Sequence, residues 1–219
     1  DDAGVTTLDD WDTLGMRAPN QETAIRLAKR MSEDVERLDQ MVSQILDSAR
    51  IDARGETSAP EPVDLGNLLQ NEVHRLHCRL APTGILLTLH CPDEIHVFAR
   101  PGDLKTVVSN LLSNAVKSCA AAGGGKTVIH VTRQSQDAVI TFKDTGRGFD
   151  PEEAKLLFQR FYRPGDELRR ETAGSGLGLH LVYELTKSHG GSVGASSPGQ
   201  GLGATFTLTW PTTKAPAIS

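Results

Sequence analysis

Cysteine, excess basic charge and long apolar runs are what this sequence has least of. Cys78, Cys91 and Cys119 are its 3 cysteines. They are odd in number and lack Cys-x-x-Cys spacing, so neither a disulfide framework nor a zinc site is indicated. His74 and His77 stand beside Cys78, but no second ligand pair accompanies them, and a half-exposed helix face accounts for all three. Lys and Arg total 23 against 28 Asp and Glu, a net charge of −5. That balance offers no electrostatic footprint for nucleic acid or an anionic membrane surface. No apolar run approaches the roughly 20 residues that span a bilayer, and no secretory signal stands at the start. The chain is therefore expected in the cytoplasm, with no membrane segment of its own. It opens on Asp1 rather than Met, which we read as the mark of a piece of something longer.

What is present is the composition of a globular protein, 38% hydrophobic and 23% charged, with length for one ordinary domain plus a smaller element. The stretch from Asp144 to Leu179 organises the rest. It opens with Asp144-Thr145-Gly146-Arg147-Gly148-Phe149 at the end of a strand and closes with Gly174-Ser175-Gly176-Leu177-Gly178-Leu179 at the start of a helix. Glycines at such places let the backbone approach a ligand and take dihedrals that a side chain forbids. The second cluster runs into the apolar pattern Leu177, Leu179, Leu181, Val182 and Leu185, which puts free N–H groups at a helix N-terminus, where phosphate is favoured. Ahead of the first cluster, Ile140, Phe142 and Asp144 share one face of a strand. A carboxylate that continues an apolar face is costly unless a donor meets it, and the exocyclic amine of adenine is such a donor. Together the two clusters suit a nucleotide.

Taken in order, residues 1–19 are acidic and aperiodic and read as a loop or frayed segment. From Asn20, a plausible N-cap, to about Ala53 the pattern is helical. Ala24, Ala28, Met31, Val35, Leu38, Val42, Ile45 and Ala49 follow at alternating steps of four and three, a heptad seam that needs a partner helix. Residues 54–62 are polar with two prolines and read as a linker. Asp64 can cap a helix carrying Leu65, Leu68, Leu69, Val73 and Leu76. Strand candidates follow at Ile85–Cys91 and Ile95–Ala99, then a helix from Pro101 to about Ala121. That helix buries Leu104, Val107, Val108, Leu111, Leu112 and Ala115, and carries Asp103, Asn110, Asn114 and Lys117 in a narrow polar stripe. Two amides and a lysine at i, i+4 and i+7 can present neutral oxygens to a hydrated magnesium ion and a positive charge to phosphate. Strands near Thr127–Arg133 and Ala138–Lys143 read as a hairpin. A short helix starts at Pro151, Pro164–Ala173 reads as a mobile lid, and a helix over 176–189 ends at Gly190-Gly191. Ala204–Trp210 alternates as a strand before a tail over 212–219.

These residues resemble the dimerisation helix and ATP-binding domain of sensor histidine kinases, members of the superfamily shared with gyrase, Hsp90 and MutL. The resemblance covers residues 20–211 and rests on five elements in the family's order: Asn110-Leu-Leu-Ser-Asn114-Ala-Val-Lys117, Asp144-Thr-Gly-Arg-Gly148, Phe158-Gln-Arg-Phe161-Tyr-Arg163, Gly174-Ser-Gly-Leu-Gly-Leu179 and Gly201-Leu-Gly203-Ala-Thr-Phe206. It implies an α+β fold, a two-layer α/β sandwich of the Bergerat type over 63–211, with a mixed sheet covered on one face by helices. A long heptad-patterned helix over 20–53 is expected to precede it, the second helix of a kinase hairpin. The resemblance further implies that Asp144 holds the adenine amine and that Gly146 and Gly148 let base and sugar approach. Asn114 would ligate Mg2+, Asn110 would support metal and phosphates, and Lys117 would contact phosphate. Gly174, Gly176, Leu177 and Gly178 would cradle the phosphate chain, with Arg163 approaching the γ-phosphate.

Three departures stand out. Ser118 occupies a place where the family often has an aromatic residue near adenine, and Ala204 stands where Ser or Thr commonly reaches the base. The family's acceptor histidine, followed by an acidic residue and a proline, is absent; it belongs on a helix before residue 20. His74, His77, His90, His96, His130 and His180 lack those neighbours, and His189 matches a structural histidine before Gly-Gly. The expected function is therefore the ATP-binding core of a two-component sensor kinase, which transfers the γ-phosphate of Mg-ATP to a histidine outside this chain for relay to a response regulator aspartate. Residues 24–49 would mediate a homodimer or helix pairing, and the parent protein would be anchored in the inner membrane. The rivals are a gyrase- or Hsp90-like ATPase and a non-catalytic module that pairs with another kinase.

Overall fold

The computed structural model describes residues 25, 26, 31, 59–80, 83–92, 94–164 and 176–212, with only the backbone of Cys78 and Arg79. The chain divides into two compact units, Asp1–Ser43 and Gln44–Ser219. In the first, Ile25, Arg26 and Met31 are helical. The rest of the heptad seam, the segment 1–19, the stretch read as a lid from residue 165 onward and the tail from 213 lie outside the described residues. The second unit holds every strand among the described residues and the helices that cover them.

Period-two alternation builds its sheet. In β5 (Asp137–Asp144) Ala138, Ile140, Phe142 and Asp144 are buried, and in β7 (Ala204–Pro211) so are Ala204, Phe206, Leu208 and Trp210. Each residue between them stays at least partly exposed, because successive side chains leave a strand on opposite faces. The same rule places Thr127, Ile129 and Val131 of β4 (Gly125–Gln134) on the core side. With β2 (Ile85–His90) and β6 (Ser192–Ser196) the order is β2-β4-β5-β7-β6; β2 and β4 are parallel and the other pairs antiparallel. A separate antiparallel ribbon joins β1 (Glu61–Asp64) to β3 (His96–Ala99).

The helices cover the buried face. The helix α2 (Pro101–Ala121) starts on a proline, suited to a first turn that needs no donor there. It inserts Leu104, Val107, Val108, Leu111, Leu112, Ala115 and Cys119 at steps of three and four. Helices α1 (Leu65–Leu80) and α3 (Gly178–Ser188) add Leu65, Leu69, Leu181, Val182 and Leu185 to one continuous core. This is the expected two-layer sandwich with a mixed sheet. No helix among the described residues is long and apolar enough to cross a membrane.

Asp64 caps α1 as read from the sequence, its Oδ1 accepting from the Asn67 amide at 3.0 Å. Glu61 and Pro62, read as linker, instead belong to β1. Proline is tolerated there because β1 pairs on one side only, so a missing donor on its free side leaves no gap. The element after Pro151 is a 3-10 helix over Pro151–Phe158 with an Asp150/Glu153 capping box.

Asp103 leaves the polar stripe in which the sequence had grouped it. Its Oδ2 lies 2.8 Å from His189 Nε2, and the His189 ring sits against Trp210 with centroids 5.0 Å apart. The contact ties the first turn of α2 to the residue after α3 and to the end of β7. Burial pushes the Asp103 carboxyl up, but His189 and Arg100 outweigh it and the net shift is below 3.8. A depressed carboxylate pKa supplies stability that is present above the unfolded value and lost as pH falls through the folded one. Asp103→Asn is therefore expected to lower the urea midpoint at pH 7 and to converge with the parent chain in strong acid. An equal deficit at both pH values would show that the charge is irrelevant.

Candidate functional site

Alternation along β5 carries Asp144 into the core face at 2% exposure. Its Oδ1 accepts from the Gly146 amide at 2.9 Å and from Ser118 Oγ at 3.1 Å. Its Oδ2 is buried with no hydrogen-bond partner among the described residues. Burial pushes the carboxyl pKa up, and the hydrogen bonds from Gly146 and Ser118 oppose it without cancelling it. A buried charged acceptor without a donor costs on the order of 1–3 kcal/mol or more. A ligand amine placed against Oδ2 would remove that cost, so the site fits a group that donates there.

Ser118, noted in the sequence only as a departure, thus holds one oxygen of the carboxylate and leaves the other for a ligand. The signal was in the spacing: Ser118 lies four residues beyond Asn114 and eight beyond Asn110, about one and two turns along the same helix.

The glycines of the first cluster have a packing role in the fold. A Cβ on Gly146 would fall 2.2 Å from Ser118 Oγ and 2.4 Å from the Ser118 carbonyl carbon. Gly148 has φ +59, and a Cβ there would fall 2.4 Å from the Gly199 carbonyl oxygen. Glycine is needed at both positions for packing, because this loop is wedged between the end of α2 and the turn before β7. Hydrogen bonds fasten the wedge: Gly203 N–H donates to Gly146 O at 3.0 Å, and Ser197 Oγ accepts from Phe149 N at 3.2 Å and donates to Gly203 O at 2.7 Å. Sequence reasoning missed Ser197, which stands in a Ser-Ser-Pro-Gly turn with no chemical signature. Gly203, at φ +76, would bring a Cβ to 2.2 Å from Asp144 O. Gly203→Ala should destabilise by more than about 1 kcal/mol in urea unfolding; an unchanged midpoint would mean the strands part easily at Asp144.

On α2, which packs against α3, Asn110 and Asn114 are half-buried and Lys117 is exposed. Asn110 donates Nδ2 to Thr106 O at 2.9 Å within the helix, so its carbonyl oxygen is the group it can offer a ligand. Although Lys117 reaches solvent, the protein wall around its ammonium desolvates it and lowers its pKa. A negative ligand would reverse that shift.

At the second cluster, α3 begins after Leu177, which provides no side-chain cap, and its first turn holds no acidic residue. Its leading amides are thus suited to an anion. Gly176, at φ +75, lies so close to Phe161 that a Cβ would come within 2.7 Å of Phe161 Cα, and Phe161 N–H donates to Gly176 O at 3.1 Å. His180 fastens the same junction. Arg160 Nε donates to His180 Nε2 at 2.8 Å, so the proton sits on Nδ1, which donates to Phe158 O at 3.0 Å. Arg163 is half-buried and partnered. Gly174 lies outside the described residues.

The structure therefore brings Ser118, Asp144 and Gly146 into direct contact. It keeps Asn110, Asn114 and Lys117 on a single helix that packs against α3, and it fixes Gly176 and Leu177 immediately ahead of Gly178.

Comparison with known proteins agrees with this architecture. The profile of the histidine kinase-, DNA gyrase B- and HSP90-like ATPase family matches residues 99–214. The circadian input-output histidine kinase CikA of Synechococcus elongatus is 32% identical over 193 residues, which is 87% of this chain and 25% of CikA. The chain thus spans about a quarter of that relative's length. Full-length ShkA in complex with AMPPNP aligns with a TM-score of 0.71 at 25% identity, over 93% of this chain and 41% of ShkA. ThkA in complex with the response regulator protein TrrA aligns with a TM-score of 0.69 at 19% identity, over 90% of this chain and 53% of ThkA, a likeness of fold. The chain belongs to the histidine kinase-, DNA gyrase B- and HSP90-like ATPase family and carries the domain in the form found in sensor histidine kinases.

Proposed function

We propose that this chain is the ATP-binding catalytic core of a two-component sensor histidine kinase. The observation that carries the reading is the buried Oδ2 of Asp144, an acceptor whose missing donor matches the exocyclic amine of adenine. Ser118 and the Gly146 amide hold the carboxylate so that this oxygen stays in place. Asn114 offers a neutral oxygen to Mg2+, Asn110 supports metal and phosphates, and Lys117 contacts phosphate. Gly174, Gly176, Leu177 and Gly178 cradle the phosphate chain, and Arg163 approaches the γ-phosphate. Bound Mg2+ supplies charge neutralisation on the phosphates.

Transfer of a phosphoryl group is chiefly a matter of positioning and charge. The bond from the γ-phosphorus to the bridging oxygen of ADP breaks, a bond to an imidazole nitrogen forms, and ADP leaves. The acceptor histidine lies on a helix that none of the seven histidines here represents, and an aspartate on a response regulator receives the phosphate next. Support for that partner comes from ThkA, whose fold is shared and whose structure contains a response regulator. Residues 24–49 pair with a second helix, in a homodimer or with another helix partner, and the domain works in the cytoplasm.

The test is to supply γ-labelled ATP, magnesium and a separate acceptor-helix peptide. Acid-labile, alkali-stable label on that peptide is the expected result. Steady release of free phosphate without a labelled histidine would point to a gyrase-like ATPase. Failure to bind Mg-ATP would leave a non-catalytic pairing module.

A further inference from the structure

Away from the nucleotide site, strand pairing alone brings two histidines together. The strands β2 and β4 run parallel with His90 directly opposite His130. Alternation sends their neighbour Ile129 to the core and turns both histidines to the open face, where each is exposed. The rings stand 5.9 Å apart by centroid with planes tilted 57°, so they face each other without stacking. Among the described residues no side-chain hydrogen bond engages either ring; Thr141 Oγ1 bonds only the His130 carbonyl.

We infer that His90 and His130 form a two-imidazole site for a divalent transition metal, copper(II) or zinc, on the open face of the sheet. A metal–nitrogen bond of about 2.0–2.1 Å puts a ring centroid roughly 3.2 Å from the ion, so two imidazoles on one ion have centroids at most roughly 6.4 Å apart. The observed 5.9 Å lies inside that limit. The open-face neighbours are Thr141 and Thr207 in the same row, and Thr88, Val128, Thr132, Val139 and Lys143 in the flanking rows. No carboxylate stands among these described sheet neighbours, so the donors they leave to an ion are the two imidazole nitrogens and water. That set suits copper, nickel and zinc and not magnesium or calcium, with copper bound most tightly. The ion would clip β2, an edge strand of the sheet, to its neighbour, on the face opposite the one that buries Asp144. Because the paired geometry exists only in the folded chain, binding would stabilise that state.

The test uses the untagged chain, with thermal unfolding and calorimetric titration against CuCl2, ZnCl2 and MgCl2. Copper and zinc are expected to raise the unfolding temperature at one ion per chain, reversibly on adding a chelator, and magnesium is not. His90→Ala and His130→Ala should each weaken copper binding by more than about tenfold, the scale on which even outer-shell partners act. The electron paramagnetic resonance spectrum should lose the nitrogen splitting of one imidazole in each. The His74→Ala/His77→Ala variant, altered at the exposed pair on α1, should bind as the parent does. Binding undiminished by both single substitutions, loss that follows His74 and His77 instead, or no binding by the parent chain would each overturn the assignment. The residues are exposed, so circular dichroism should show all variants folded.

Discussion

Asp144→Asn is expected to abolish ATP binding without weakening the fold. The two consequences have separate causes in one carboxylate. In the folded chain its pKa is raised, mainly by burial. A carboxylate with a raised folded pKa adds stability only below its unfolded value, and that contribution is lost as pH rises through the folded value. At pH 7 the ionised group is therefore a net cost, and the neutral amide removes it while its Oδ1 still accepts from Gly146 and Ser118. The urea midpoint at pH 7 should hold or rise. For the ligand the same change is adverse, since the amide can set an N–H against the adenine amine where an acceptor was needed. A hydrogen bond to a charged group contributes about 1.5–3 kcal/mol, and about 1.4 kcal/mol is tenfold in affinity. Calorimetry should then show ATP bound roughly a hundredfold more weakly, or not at all. The parent chain should itself lose affinity on acidification at a higher pH than an ordinary aspartate would dictate, because protonation removes the ionised acceptor early. Unchanged affinity in Asp144→Asn, with the fold intact, would remove Asp144 from the site.

Asn114→Ala should lower phosphoryl transfer to a supplied acceptor helix by about a hundredfold or more, the scale of losing one group that stabilises transition-state charge. Asn114 is half-buried on α2 and makes no side-chain hydrogen bond among the described residues, so its removal should leave circular dichroism and the unfolding midpoint nearly unchanged. We propose it for the metal rather than the base because it stands one turn beyond Asn110 and about one turn before Lys117. The decisive comparison is nucleotide binding with and without Mg2+. Binding in a chelator should match the parent chain, and the enhancement by magnesium should shrink. A deficit of equal size in both conditions would mean that Asn114 touches the nucleotide directly.

Element type and order were legible because they follow from local pattern. Alternation in Ala204–Trp210 and steps of three and four in Leu104–Ala115 each encode one buried face, and the proline at 101 and the glycines at 123–125 mark where a helix can start and stop. The carboxylate at the end of β5 was legible for the same reason: an acidic residue in register with Ile140 and Phe142 must enter the core. The 3-10 form after Pro151 and the strand through Pro62 were not, since both depend on which neighbours pair with those segments.

The sequence by itself determined the layered fold, the buried Asp144 and the chemistry offered by Asn110, Asn114 and Lys117, because periodicity and residue type act within a few turns of chain. Only the tertiary structure decided what the glycines and departures are for. Gly146 and Gly148 make room for Ser118 and for the turn at 199–203, Ser118 restrains one oxygen of Asp144, Asp103 turns to His189, and His90 meets His130. Each of these joins residues separated by tens of positions, and such contacts are set by the register of strands and the seating of helices, which no local pattern records.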